Sequence, residues 1–556
     1  MWGITPSEVI FQTKKSYHLQ IIKMNGLTVL KKNKFISDMI ITTAVSLILT
    51  LMGMIFRVYI SNEVGSECMG LYQLVYTLYI PACTVAASGI NLAAVRLISA
   101  NEAKGETHGG NIMKCCFGYS FFFGSLALLL LFFLAEPAGK YLIKNENTAF
   151  CLKILSFGLP FLSAASAVNG YFTAKRKILK TLIIQVTEDI SKIAVTVSAL
   201  ILFKGSSSET LCAVLVFGSA AGEIISCIIA ILFYCFENKA TAKSIKNNQK
   251  LPLKNLLSIA LPTAISAYIR SGLSALENML VPFGYRKYGY SESETLSHIG
   301  VFRGMVIPLM MFPSTLLGAA AKLLVPEISY AYEQKDIKKI ESIAVKAIYS
   351  TLLFSFFVSG VFLFFADELC DMLYKNEEAS IILMLLSALV PIMYLDGIVD
   401  AILKGINQQI ATMRYSIIDS ALSVVLIIFL LPRFGVRGYI VVTYITSSLN
   451  AFLGISRFLR ITDIKLSVYN CIIVPFMSAA AALLPVFVFG AVTNITVPLV
   501  ADISVSAVLY IFFLLFTKSE SLEVRKKISN LFKHFFRHSE TFTPVETWIK
   551  SKTSDG

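Results

Sequence analysis

Long apolar runs separated by short polar segments divide this sequence, and the pattern decides the fold class. Fourteen runs are each near or above the ~20 residues that a helix needs to cross a bilayer core. They show no strand-like alternation, and backbone in lipid must satisfy its own hydrogen bonds, so we expect helices. The sequence therefore predicts an all-α polytopic membrane protein. Its predicted spans are residues 35–60, 71–98, 112–134, 149–172, 180–203, 211–236, 255–284, 297–327, 343–365, 380–404, 411–431, 436–458, 469–490 and 495–517.

Composition supports the same class. Apolar residues make up 56% of the chain and charged residues 15%, whereas globular domains average about 45–50% and about 25%. The net charge of +14 suits either nucleic acid or an anionic membrane surface. With the N-terminus placed inside, 32 Lys and Arg fall in inside segments and eight in outside loops. We therefore expect both termini to be cytoplasmic, with membrane lipids and no nucleic acid as partners.

A weak internal repeat at an offset of about 230 residues organises the spans. It aligns the segment 70–72 with 300–302, and Pro160 with Pro391. The repeat unit is six helices, and an even number gives two lobes in parallel orientation. The sequence thus predicts two six-helix lobes and two extra C-terminal helices. Their bounds are a cytoplasmic leader at 1–34 (Met24 offers a second plausible start), lobes at 35–245 and 246–465, two spans within 466–517, and a basic amphipathic tail at 518–556.

Basic residues inside spans are costly, so they indicate either a pairing partner or a watery cavity. Arg270 lies near the middle of a span, with Ser274 and Glu277 on the same helix face. One interpretation is the polar wall of a cavity, and the other is an internal Arg270–Glu277 salt bridge. Arg57 and Arg303 lie nearer to span ends, where they either reach for the membrane surface or add positive charge to the same cavity.

Three acidic residues inside spans are candidates for ion coupling. Asp396 and Asp400 are four residues apart, with Lys404 four further on, and Glu223 lies near the middle of another span. Carboxylates at such depth bind a cation or a proton, here Na⁺ or H⁺, or pair with a basic residue on a neighbouring helix.

Motifs for catalysis and cofactors are missing from the sequence. No phosphate-binding loop of the type GxxxxGK[ST] is present, the five histidines lie in loops, in tails or at the very edge of a span, and the ten cysteines contain no CxxC pair. We expect no cofactor, no metal site and no catalytic residues, so an enzyme is not predicted.

Several short motifs resemble the stage V sporulation protein B family, in the polysaccharide branch of the multidrug/oligosaccharidyl-lipid/polysaccharide exporter superfamily. The resemblance covers roughly residues 30–517. The motifs that carry it are FRVY at 56–59, MGLYQ at 69–73, ASGI at 87–90, YIRSGL at 268–273 and VPEIS at 325–329.

The resemblance implies a two-lobed, alternating-access flippase of the bacterial cytoplasmic membrane. It implies outward movement of a lipid-linked sugar diphosphate resembling lipid II, in peptidoglycan or spore cortex synthesis. Arg270, Arg57 and Arg303 would then bind the diphosphate, since the guanidinium group forms paired hydrogen bonds with phosphate. Two alternatives stay open, an ion-coupled multidrug exporter of the same superfamily and a membrane morphogenetic scaffold.

Overall fold

The computed structural model describes residues 6–103, 109–143, 147–241, 253–462, 469–493 and 498–516. Within these ranges every regular element is a helix and no strand occurs. The all-α fold class is therefore confirmed. The predicted amphipathic tail at 518–556 lies outside the described residues.

Seven helices form the first half of the chain. They are α1 (Pro6–Ala87), α2 (Ile90–Ala103), α3 (Gly109–Pro137), α4 (Asn147–Ser156), α5 (Leu159–Ala174), α6 (Ile178–Leu202) and α7 (Ser208–Thr241). A π-helical segment at Ala138–Ile143 extends α3.

Eleven helices form the second half. They are α8 (Leu253–Tyr288), α9 (Glu292–Ile299), α10 (Ile307–Met311), α11 (Ser314–Glu333), α12 (Ile337–Phe364), α13 (Ala366–Tyr374), α14 (Glu377–Leu386), α15 (Val390–Gly405), α16 (Gln409–Thr462), α17 (Val474–Thr493) and α18 (Leu499–Phe516). Short π or 3₁₀ segments at Gly300–Val306, Ser387–Leu389 and Tyr469–Ile473 join some of them.

Eight helices of the described part are long and apolar enough to cross a membrane, or nine if the bent pair at 292–311 and 314–333 forms one span. The chain is therefore a multi-pass membrane protein, and the count of fourteen spans remains a prediction. Two of the eight have 61 and 54 residues, more than twice the ~20 needed for one crossing. Each is broken at a glycine with non-helical dihedrals, Gly65 (φ 77°) and Gly435 (φ 55°), a conformation that costs glycine little.

Helix bounds recur between the two halves at the offset that the sequence predicts. The pair α4 and α5 begins at Asn147 and Leu159, and the pair α14 and α15 begins 230 and 231 residues later. The turn that follows has a left-handed residue in each half, Arg176 (φ 55°) and Asn407 (φ 60°). The same helical unit is thus built twice.

The apolar interior connects the two halves, while the outside of the bundle stays apolar. One core cluster contains Val75 and Leu155 from the first half with Phe302 and Leu383 from the second. Many other large apolar side chains point outward, among them Phe133 at 72% exposure. An apolar exterior of this kind suits lipid rather than water.

The halves also meet where two glycines pack against backbone, which we call the glycine contact. A Cβ atom on Gly70 would lie 1.8 Å from the carbonyl oxygen of Leu296, and one on Gly300 would lie 1.9 Å from that of Ser66. Ser66 Oγ and Ser297 Oγ are 2.7 Å apart and 231 positions apart in sequence. Repeat-related residues therefore form a near-symmetric contact between α1 and the start of the bent pair.

We expect Gly300→Ala to weaken this contact. The added methyl group collides with backbone that has little room to move, at a cost of about 1–3 kcal/mol for overpacking. A lower melting temperature of the purified protein would show it. Gly118→Ala in α3 is the control, because a Cβ there meets nothing within 4 Å and we expect no loss. Equal melting temperatures for the two variants would contradict the tight packing.

Candidate functional site

A polar cavity lies in the second half, between α8, α15 and α16. Its volume is about 860 Å³. Arg270 on α8 and Asp396 and Asp400 on α15 all line it, so it brings together residues that the sequence places on two different helices. Its other polar lining residues are Lys404, Gln409, Thr412, Tyr415, Ser416 and Asn450.

Arg270 presents an exposed side chain to this cavity. None of the ion pairs between described side chains includes Arg270, and none joins it to Glu277. Seven helical residues correspond to a rise of about 10 Å, which separates the two side chains along the axis of α8. The guanidinium group is therefore available to an anionic ligand. Ser274, also exposed, lies one turn further along α8.

The two predicted aspartates of α15 are held differently. Asp396 Oδ2 accepts a hydrogen bond of 2.8 Å from Asn450 Nδ2 on α16. Asp400 pairs with Lys404 on its own helix at 2.5 Å. Asp396 therefore keeps a carboxylate without a cationic partner in the described part of the chain, while the charge of Asp400 is balanced locally.

More carboxylates lie near Asp396 than the sequence suggested. Glu277 on α8 and Asp396 are both close enough to Asp419 on α16 for their charges to act on it. Asp419 Oδ1 is buried and accepts no hydrogen bond from described residues. Within the described ranges no three of the chain's His, Cys, Asp or Glu side chains form a metal-binding group. The arrangement is thus an acidic region beside Arg270.

Arg57 lies in a separate, smaller cavity in the first half. This cavity has a volume of about 140 Å³, and Tyr72 of α1 with Asp189 and Lys192 of α6 also line it. Lys192 Nζ lies 5.7 Å from the centre of the Tyr76 ring. In this conformation Arg57 and Arg270 therefore line different cavities.

Glu223 of α7 is buried inside the first half, with 8% of its surface exposed. Its Oε1 accepts a hydrogen bond from the Tyr79 hydroxyl, and its Oε2 is buried with no hydrogen-bond partner among described residues. That second oxygen lies against Gly158, where a Cβ atom would come within 2.1 Å of it. Glu223 is thus separate from both cavities.

Arg303 is fixed by neighbours that sequence reasoning did not identify. Its Nε donates to the Tyr439 hydroxyl at 2.8 Å, its Nη1 donates to Asn278 Oδ1, and its guanidinium carbon lies 5.5 Å from the centre of the Tyr439 ring. These contacts join α8, the π segment 300–306 and α16. To bind a ligand, Arg303 would have to exchange these partners.

Two family models match the chain. One, described as "Polysaccharide biosynthesis protein", matches residues 35–332, and a second, described as "MatE", matches residues 288–429. Stage V sporulation protein B of Bacillus subtilis (strain 168) is 26% identical over 512 residues, which is 88% of this chain and 97% of that protein.

Solved structures share the fold. A structure titled "Lipid II flippase MurJ, inward closed conformation" matches with a TM-score of 0.65 and 14% identity, over 86% of this chain and 98% of that one. An inward-facing multidrug resistance MATE family transporter of the MOP superfamily matches with a TM-score of 0.58 and 14% identity, over 75% and 94%.

These matches confirm the resemblance found in the sequence motifs. The first family model alone covers more than half of the 556 residues. The chain therefore belongs to the polysaccharide biosynthesis protein family, and it shares its fold with solved structures of MurJ and of a MATE family transporter of the MOP superfamily.

Proposed function

We propose that this protein moves a lipid-linked sugar diphosphate outward across the bacterial cytoplasmic membrane by alternating access. The observation that carries the proposal is Arg270, an exposed guanidinium group in a polar cavity between helices of a membrane protein. A diphosphate needs such a partner, because a charged group crossing the bilayer is costly unless it is paired.

The relatives support this substrate class. One matching structure is that of a protein named lipid II flippase, and one similar protein is named for sporulation. A lipid II-like precursor used in peptidoglycan or spore cortex synthesis fits both names. Its sugar diphosphate would pass through the cavity while its tail stays in lipid.

Residues around Arg270 would bind the rest of the head group. Ser274 would donate a hydrogen bond to a phosphate or sugar oxygen, and Glu277 would accept one from a sugar hydroxyl. Arg57 and Arg303 would bind the diphosphate in other steps of the cycle, since they lie outside the Arg270 cavity here. In cells depleted of other flippases, the precursor should reach the outer face with this protein and not without it. Equal amounts there would contradict the proposal.

We further propose that the lobes comprise residues 35–245 and 246–465, followed by two spans within 466–517, with both termini cytoplasmic. The start of α8 contributes to both lobes in this conformation. Leu256 and Ala260 pack in a core cluster with Ile98 and Phe172 of the first half. We therefore expect α8 to change its contacts as the lobes move.

Ion coupling would use Asp396, with Asp400 and Glu223 as the other candidates and Na⁺ or H⁺ as the ion. Asp396 is favoured because it faces the Arg270 cavity, whereas Glu223 is buried in the first half. A carboxylate can bind either Na⁺ or H⁺, and Asp396 Oδ2 already accepts a hydrogen bond from Asn450 Nδ2.

We expect Asp396→Asn to slow transport about tenfold and to remove its dependence on the ion gradient, because coupling energies are typically 1–3 kcal/mol. Transport measured in vesicles with and without an imposed Na⁺ or H⁺ gradient would show this. Asp371→Asn, on an exposed residue of α13, is the matched control and should behave like wild type. If Asp396→Asn keeps its gradient dependence while Glu223→Gln loses it, coupling belongs to Glu223 instead.

The acidic region beside Arg270 favours a second candidate, an exporter of cationic drugs. Asp396, Asp419 and Glu277 together would attract a cation. Efflux of a cationic dye from cells, lost in Asp419→Asn and kept in Arg270→Ala, would support this function over the first.

A further inference from the structure

The turn between α5 and α6, together with the first turn of α6, carries four cationic residues, Lys175, Arg176, Lys177 and Lys180, which we call the basic turn. Two apolar segments of span length end beside it, one at Ala174 and the other at Glu237. The basic turn therefore lies where helices leave the hydrocarbon core, at the depth of lipid head groups.

Three of these cations converge on one carboxylate. Glu237 Oε1 lies 2.5 Å from Lys177 Nζ and 3.8 Å from Lys175 Nζ, and Oε2 lies 2.7 Å from Lys180 Nζ. The fourth, Arg176, is exposed and takes part in none of the ion pairs between described residues. Three lysines at one carboxylate, with Arg176 in the same turn, leave a local surplus of positive charge.

Aromatic rings hold the lysine side chains in place. Lys175 Nζ lies 4.6 Å from the centre of the Tyr171 ring, and Lys180 Nζ lies 5.0 Å from that of Phe172. Cation–π contacts and aromatic residues are typical of the membrane interface. The ammonium groups of Lys175 and Lys180 are thus positioned before any ligand arrives.

The repeat-related turn in the second half, between α15 and α16, shows how few cationic residues such a turn needs. It has a left-handed residue at the matching position, Asn407, and is attached to the far end of α16 by hydrogen bonds from Arg457 to Gln408 Oε1, the shorter at 2.8 Å. One side-chain pair therefore suffices to fasten such a turn. The basic turn of the first half has three more cations than this role requires.

We propose that the basic turn binds the phosphate group of an anionic membrane phospholipid, a site beyond the transport function proposed above. The phosphate would share the lysine ammonium groups with Glu237 and would also reach Arg176. Charge-assisted hydrogen bonds from several cations to one phosphate are strong, and each basic residue near a membrane surface strengthens such binding roughly fivefold.

Binding of phosphatidylglycerol to the purified full-length protein tests the proposal, with phosphatidylcholine as the neutral comparison. We expect the triple variant K175Q/K177Q/K180Q to bind phosphatidylglycerol at least about tenfold more weakly than wild type. The control K335Q/K338Q/K339Q removes equal charge from the turn before α12 and the first turn of α12, and should bind as wild type does. Equal losses in both triple variants would overturn the proposal.

Two single variants keep the test decisive if the triple variant fails to fold. Arg176→Gln changes an exposed side chain and should weaken binding by roughly fivefold. Glu237→Gln removes the competing carboxylate and should strengthen binding; unchanged or weaker binding would mean that the lysines serve only to satisfy Glu237. Inorganic pyrophosphate is the last probe. If it displaces phosphatidylglycerol completely at equal concentration, the site serves a free diphosphate and the phospholipid proposal fails.

Discussion

Replacing Arg270 with alanine is expected to reduce transport of a lipid-linked sugar diphosphate by at least about 100-fold. The change removes the exposed guanidinium group of the polar cavity. Two charge-assisted hydrogen bonds to the diphosphate would be lost, each contributing about 1.5–3 kcal/mol. Because no ion pair with described residues depends on Arg270, the fold should tolerate the change.

Transport in cells that depend on this protein, with its membrane abundance measured in parallel, checks the prediction. Arg270→Lys keeps the charge but not the paired geometry, and we expect partial activity. Lys287→Ala on the same helix removes an exposed positive charge near its end and should leave transport unchanged. Arg270→Ala transporting as well as Lys287→Ala would exclude Arg270 as the anion contact.

Locking the glycine contact is expected to stop transport almost completely. The Oγ atoms of Ser66 and Ser297 are 2.7 Å apart, so cysteines at these positions lie within reach of a disulfide bond. Alternating access requires the halves to separate at one side in each cycle. The oxidised variant S66C/S297C should therefore be inactive, and reduction should restore it.

Three controls isolate the effect of the lock. Each single cysteine variant under oxidant, and wild type with its ten native cysteines, should remain active. The double variant S66A/S297A loses the hydroxyl contact without a cross-link and should also transport. A membrane scaffold would keep its function when locked, so an active oxidised double cysteine variant would contradict alternating access.

The architecture could be predicted from the sequence because it depends on periodic and local signals. The offset that pairs Pro160 with Pro391 reappears in the bounds of α5 and α15. The length of the apolar runs identified the spans. It could not show that α1 and α16 continue past Gly65 and Gly435, where each helix is interrupted without a loop.

Contacts between distant helices could not be predicted in this way. Spacing along α8 places Arg270, Ser274 and Glu277 on one face, but it does not say that α15 brings Asp396 to the same cavity. The uncharged side chains that bind these charged residues could not be identified from the sequence. Asn450 shows its role only through its hydrogen bond to Asp396, and Tyr439 only through its contact with Arg303.

The central claim is that this protein moves a lipid-linked sugar diphosphate across a bilayer, and reconstitution tests it most directly. Vesicles containing the full-length chain would carry a labelled polyprenyl-diphosphate sugar in the inner leaflet, and a membrane-impermeant reagent would report how much reaches the outer leaflet. We predict that the wild-type protein exposes the lipid far faster than protein-free vesicles do, and that oxidised S66C/S297C does so only after reduction. Equal exposure in wild-type and protein-free vesicles would contradict the account.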